Sequence, residues 1–90
     1  MLEREVTIVN PLGLHARAAM KLVKVATESS SQIVIENRSC NKTANAHSIL
    51  DLLTLGGSKG VTVNIRIDGD DESEAMNVIV ELFESGFGEI

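Results

Sequence analysis

The sequence predicts an α+β domain in the order βαββαβα, a four-stranded antiparallel sheet with three helices on one face. Three observations carry the prediction. Two segments alternate apolar and polar residues with period two, as half-buried strands do. Two longer segments repeat apolar residues at i, i+3, i+4 and i+7, as helices lying on a sheet do. The connections are short enough for hairpins, and antiparallel strands are the ones that hairpins join. Ninety residues amount to one small domain with one core, spanning residues 1–90.

The elements follow in order. Leu2, Val6 and Ile8 alternate with Glu3, Glu5 and Thr7 as a first strand, ended by the turn residues Asn10-Pro11-Leu12-Gly13. From Ala16 to about Thr27, the residues Ala19, Leu22, Val23 and Ala26 form one inward stripe, with Arg17, Lys21 and Lys24 turned away from it. Gln32 to Asn37 is β-rich, and Asn-Arg-Ser-Cys-Asn turns it into a brief strand near Lys42 to Ala44. Ser48 caps a short helix to Leu53, with Asp51 at capping-box spacing and Gly56-Gly57 as the stop; Leu52 and Leu53 are assigned to the core. Val61, Val63, Ile65 and Ile67 make the clearest strand. The last helix opens at Asp70-Asp71, turns Ala75, Val78, Ile79, Leu82 and Phe83 inward, and stops at Gly86.

Composition excludes several function classes. Apolar residues make up 43% of the chain but only two are aromatic, so the core is aliphatic. The net charge of −5 and the lack of aromatic stacking residues argue against nucleic-acid binding. No apolar run reaches a membrane span, no signal peptide is visible, and the expected compartment is the cytoplasm without membrane insertion. The lone Cys40 has no partner for a disulfide and no neighbour at metal-ligand spacing, and His47 reads as an exposed surface histidine. The acidic cluster Asp68, Asp70, Asp71, Glu72 and Glu74 reads as a solvated helix start and lacks the glycine and ligand spacing of a calcium loop. No metal and no cofactor are expected.

The chemistry concentrates in Gly-Leu-His-Ala-Arg-Ala-Ala, residues 13–19. A helix start leaves backbone N–H groups without partners and gathers partial positive charge. His15 stands at the cap position, where Ser, Thr, Asp or Asn would normally accept from those donors. The amides of Ala16 and Arg17 are therefore expected to receive a phosphate, with the Arg17 guanidinium as a planar fork for its oxygens. A neutral imidazole is a nucleophile, and its attack on a phosphoryl donor yields a reactive phosphohistidine suited to relay. His-x-Arg alone does not establish this, because a histidine at a helix start is commonly an exposed or weakly capping residue.

The segment GLHARAAMKLV, followed about thirty residues later by SILDLLTLGGSKG and an amphipathic last helix, resembles the HPr family of bacterial phosphocarrier proteins over essentially the whole chain. The resemblance implies that family's open-faced β-sandwich and a phosphoryl relay. His15 matches the histidine that accepts a phosphoryl group from phosphorylated enzyme I, with phosphoenolpyruvate as the original donor, and passes it to a IIA protein or domain. Arg17 matches the arginine that follows it. Ala18 departs from the family's usual proline, which keeps an N–H at that position. Ser48 matches a serine that an HPr kinase/phosphorylase modifies in some bacteria. The ending ELFESGFGEI and the HARAAMKL helix look closer to the nitrogen-related NPr branch, whose enzyme I paralogue serves a regulatory IIA protein.

Leu14, Met20, Lys21, Lys24, Ile49 and Leu50 are expected to form a partner surface, basic and apolar together, on a chain acting as a monomer. Two other classes compete with the relay. One is a regulatory interaction domain of the same fold that carries no phosphoryl group, and retention of His15 and Arg17 weighs against it. The other is a self-contained hydrolase using His15 with Ser48, for which the sequence shows no third, orienting group.

Overall fold

The structure, a computed structural model, describes residues 1–89. Its elements are β1 (Leu2–Thr7), α1 (Ala16–Glu28), β2 (Gln32–Asn37), β3 (Lys42–Asn45), α2 (Ile49–Leu53), β4 (Thr62–Asp68) and α3 (Glu72–Glu84), followed by a single 3-10 turn, Gly86–Gly88. The expected order βαββαβα is found. All strand pairs are antiparallel, and the sheet order is β1-β4-β2-β3. β4 is central: Val63 pairs with Val6 of β1, and Ile65 pairs with Ile35 of β2.

Alternation decides which side of the sheet is dry. Val6, Ile33, Ile35, Ala44, Val63, Ile65 and Ile67 point into the core and are at most 7% exposed, where Leu22, Ala26, Leu52, Ile79 and Phe83 of the helices meet them. The opposite face carries Glu3, Glu5, Glu36 and Asn64, across which Arg38 pairs with the three glutamates. Asn64 on that face is only 4% exposed and donates to Glu3 at 2.9 Å. Leaving one face polar suits an antiparallel sheet.

Several expectations about the helices need correction. Val78 is 46% exposed, and Met76 and Val80 are buried instead. α3 packs on β1 and β4, and that contact selects Ala75, Met76, Ile79, Val80 and Phe83, a stripe rotated from the one its apolar residues suggest. Leu53 is 44% exposed because a helix of five residues turns a single position, Leu52, fully inward; Leu55 after it supplies the second buried leucine. Ile8 lies just past β1 yet is fully buried, its amide held by the carbonyl of Val61 at 2.9 Å.

The acidic cluster is also more than a solvated helix start. Asp71 accepts hydrogen bonds from the hydroxyls of Ser31 and Ser29 and from the amide of Ser30. These donors, Ser31 first, hold its carboxyl below the usual range, opposed by partial burial. One side chain thereby ties the start of α3 to the link between α1 and β2.

Candidate functional site

The site begins with a turn. Asn10 is fully buried and its side-chain amide donates to the carbonyl of Gly13 at 2.8 Å, while the Gly13 amide closes back on the carbonyl of Asn10 at 3.1 Å. Gly13 has φ +62°, and a Cβ there would lie 2.1 Å from the carbonyl oxygen of Gly57. Only glycine permits that approach and that dihedral. The next amide, of Leu14, bonds the same Gly57 carbonyl at 2.8 Å, and the Leu14 side chain packs over Gly57 at 5% exposure. Leu14 is thus a core residue that pins the loop, and its expected place on a partner surface is overturned. Burying the residue before it fixes His15 at the N-cap of α1.

His15 does cap its helix, contrary to expectation. Its backbone is extended, its carbonyl accepts the first helical bond from Ala19 at 2.9 Å, and its ring Nδ1 accepts from the Arg17 amide at 3.3 Å. The expected open donor at Arg17 is therefore engaged, by a long bond. The amides of Ala16 and Ala18 precede the first i to i−4 bond and have no acceptor within the helix.

The other ring nitrogen meets a residue that sequence reasoning missed. Nε2 lies 2.5 Å from Oε2 of Glu89, whose Oε1 accepts from the Asn10 amide at 3.0 Å. A carboxylate only accepts, so Nε2 carries the proton and Nδ1 the lone pair, a single tautomer that satisfies both contacts. Donation from Asn10 first, then from His15, and the charge of Lys21, hold the Glu89 carboxyl below its ordinary range against partial burial. The His15 and Glu89 side chains are 26% and 15% exposed. Glu89 is placed by the turn before it. Phe87, fully buried at φ +56°, packs edge-on against Phe83 with ring centres 5.0 Å apart, and Lys21 Nζ donates to the Phe87 carbonyl at 2.5 Å. Seventy-four residues separate His15 from Glu89, so no spacing rule could link them; a Phe-Gly-Glu after a helix stop was the faint signal available.

Pro11, Leu12, His15, Ala16, Arg17 and Glu89 line one concavity of about 530 Å³. Arg17 is exposed and makes no ion pair among the described residues. The arrangement is an imidazole, a guanidinium and a helix start converging on one opening, which suits a small anion that reacts with nitrogen.

The remaining predicted residues separate. Met20, Ile49 and Leu50 are 59%, 39% and 72% exposed, and Leu12 and Leu53, not assigned to this surface from sequence, join them. Lys24 is exposed, whereas Lys21 is half-buried and committed to the turn at Phe87. α2 packs against α1, which sets Met20 and the residues Ile49, Leu50 and Leu53 on neighbouring helices, while Leu12 lies in the turn before α1. Ser48 Oγ accepts from the Asp51 amide at 3.2 Å as the cap of α2, and Ser48 lies outside the concavity. Asp51 itself reaches the amide of Asn45 at 3.2 Å and so does not close a reciprocal capping box. His47 is exposed against Asn45, and Cys40 is a free exposed thiol. Among the described residues no cluster of His, Cys, Asp and Glu is arranged to hold a metal ion, and no helix is long and apolar enough to cross a membrane.

Comparison with known proteins gives a consistent set of likenesses. The family model for the PTS HPr component phosphorylation site matches residues 2–85. Phosphocarrier protein HPr of Xylella fastidiosa strain Temecula1 is 43% identical over 89 residues, covering 99% of this chain and 98% of that protein. Phosphocarrier protein NPr of Proteus mirabilis is 41% identical over 86 residues, covering 96% and 94%. The crystal structure of HPr-C-His from Thermoanaerobacter tengcongensis superposes with a TM-score of 0.93 at 46% identity, covering 100% of this chain and 99% of that one. A crystal structure of an HPr dimer from the same organism superposes at 0.76.

Proposed function

This chain belongs to the HPr family of phosphocarrier proteins, and we propose that His15 Nδ1 is the atom that carries its phosphoryl group. One observation supports the choice of atom: Nδ1 faces the amide of Arg17 at the start of α1, whereas Nε2 is closed off by the Glu89 carboxylate. A phosphoryl group on Nδ1 meets the positive end of the helix, the Ala16 and Arg17 amides and the Arg17 guanidinium. On Nε2 it would meet a negative charge. Ala18 keeps an N–H where the family usually has proline, which adds a third donor at the same helix end.

The step balances without a metal. The Nδ1 lone pair forms the N–P bond, the bond from phosphorus to the donor breaks, and the donor leaves with that electron pair. The 3.3 Å bond from the Arg17 amide to Nδ1 is given up, and the amide turns to a phosphoryl oxygen. The donor is phosphorylated enzyme I or its nitrogen-branch paralogue, and the acceptor is a IIA protein or domain. Arg17 and Lys24 beside exposed Leu12, Met20, Ile49, Leu50 and Leu53 suit brief contact with such partners. Identity of 43% to an HPr and 41% to an NPr supports an acceptor of the IIA class. One copy of the chain holds every group named here, which supports a monomer as the acting form, and the cytoplasm is the general expectation for the family. Ser48 is the place for regulatory phosphorylation, at the cost of its cap on Asp51.

The test is intact mass after incubation with phosphoenolpyruvate and each enzyme I. One acid-labile phosphoryl group, absent from His15→Ala, is the expected result. A wild-type protein that gains none with either enzyme is instead the interaction domain, and one that gains it in His15→Ala as well carries it elsewhere.

A further inference from the structure

We propose that Glu89 is a positioning residue for phosphoryl transfer: it keeps the proton on His15 Nε2, leaves Nδ1 as the attacking atom, and balances the positive charge the ring acquires when the N–P bond forms. The inference rests on the carrier reading above. It concerns a residue outside residues 2–85, the span that the family model matches.

The geometry has three linked contacts. Asn10, with no exposed surface, divides its amide between Gly13 and Glu89 Oε1, and Glu89 Oε2 meets Nε2 at 2.5 Å. Among the described residues Glu89 is the one carboxylate paired with the ring. The other charged side chains near it are cations of α1: Arg17, which lines the same concavity, and Lys21, which is held at the carbonyl of Phe87. The anchor at Phe87 places Glu89 through packing of the core, so the carboxylate need not be recruited during the reaction.

The electron count shows what a carboxylate does there. A neutral imidazole protonated at Nε2 attacks through Nδ1 and becomes an N-phosphorylated imidazolium, still protonated at Nε2. When phosphorus passes to the acceptor, the N–P electron pair returns to Nδ1 and the neutral ring is recovered, with the same proton in place. No proton has to leave the ring in either direction. The cation exists only while phosphorus is being transferred or held, and a carboxylate at Nε2 stabilises that state more than the starting one. An acid that orients a histidine and favours its cationic form is an established solution in other folds. Without Glu89 the proton is also allowed on Nδ1, and that tautomer has no lone pair facing the helix start.

The test compares wild type with Glu89→Gln, which keeps the side-chain shape and removes the charge; unchanged backbone amide spectra confirm that it folds. Imidazole nitrogen NMR of the unphosphorylated proteins reports the tautomer. Wild type is expected to show the Nε2–H form alone, and the variant a mixture. Steady-state transfer from phosphorylated enzyme I is expected to lose about 10- to 100-fold in kcat, with KM for enzyme I close to wild type, as for groups that orient a reacting imidazole. An unchanged tautomer, or a shifted tautomer with unchanged kcat, overturns the proposal. A loss confined to KM makes Glu89 a docking contact and overturns it too. Failure of the carrier reading is separately visible: wild type then takes up no phosphoryl group, whatever its tautomer.

Discussion

At His15 one nitrogen has two uses that cannot coincide: Nδ1 caps the helix by accepting from the Arg17 amide, and in the proposed relay the same lone pair attacks phosphorus. The length of the cap bond, 3.3 Å, makes the exchange inexpensive, because a weak bond is surrendered to a charge-assisted one. Arg17 should be the residue that most enhances the exchange, since its fork matches phosphoryl oxygens and its charge is permanent. Arg17→Ala is expected to lower kcat/KM for transfer from enzyme I by about 10- to 100-fold, the worth of one hydrogen bond to a charged group. Arg17→Lys should recover only part of it, as a compact ammonium lacks the fork; stopped-flow or quenched-flow transfer rates decide. Both residues were readable in the sequence because their relation is local, two positions apart at a helix start. Glu89 was not, because its relation to His15 exists only after the chain has closed on itself.

At the scale of elements, periodicity, β-rich composition and cap residues together located every helix and strand but not which face of α3 turns inward. Ala75, Ile79 and Phe83 belong to the buried stripe, while Val78 is apolar and exposed. Which apolar residues are used depends on the sheet beneath, and a helix rich in them on two sides offers more than one solution. The junction of α1, β2 and α3 gives a prediction in pH. Asp71 is held below its ordinary range by Ser31 and Ser29, so its folded form binds protons less readily than its unfolded form. Its contribution is present above the unfolded value of about 3.9 and is lost as pH falls through the lower folded value. Asp71→Asn should therefore be less stable than wild type near neutral pH, and the gap should narrow as pH drops below about 4. Urea midpoints measured along that pH range show it; a gap independent of pH would place the loss in shape and not in charge.

Across the whole molecule, the C-terminal turn joins core to site. Phe87 closes the aliphatic core beside Phe83, the two aromatic rings of the chain, and in doing so carries Glu89 to the ring of His15. Phe87→Ala is expected to cost about 3–5 kcal/mol, as buried phenylalanine deletions do. For a small domain stable by about 5–15 kcal/mol this is a large share. Urea unfolding measures the loss, and imidazole NMR on the folded fraction should show the ring released from Glu89 along with it.

The division between sequence and tertiary structure falls along distance in the chain. Alternation, helical stripes and short turns are properties of neighbouring residues, so the order βαββαβα, a polar open face and the pairing of His15 with Arg17 follow from the sequence. Resemblance of two local motifs pointed to the family for the same reason. What only the folded chain decided are contacts between distant residues that neither periodicity nor spacing encodes. Gly57 meets Gly13 and buries Leu14, Lys21 leaves the surface for the carbonyl of Phe87, and Glu89 holds the far side of the His15 ring. Local pattern placed the histidine, and packing selected which of its two nitrogens faces the start of the helix.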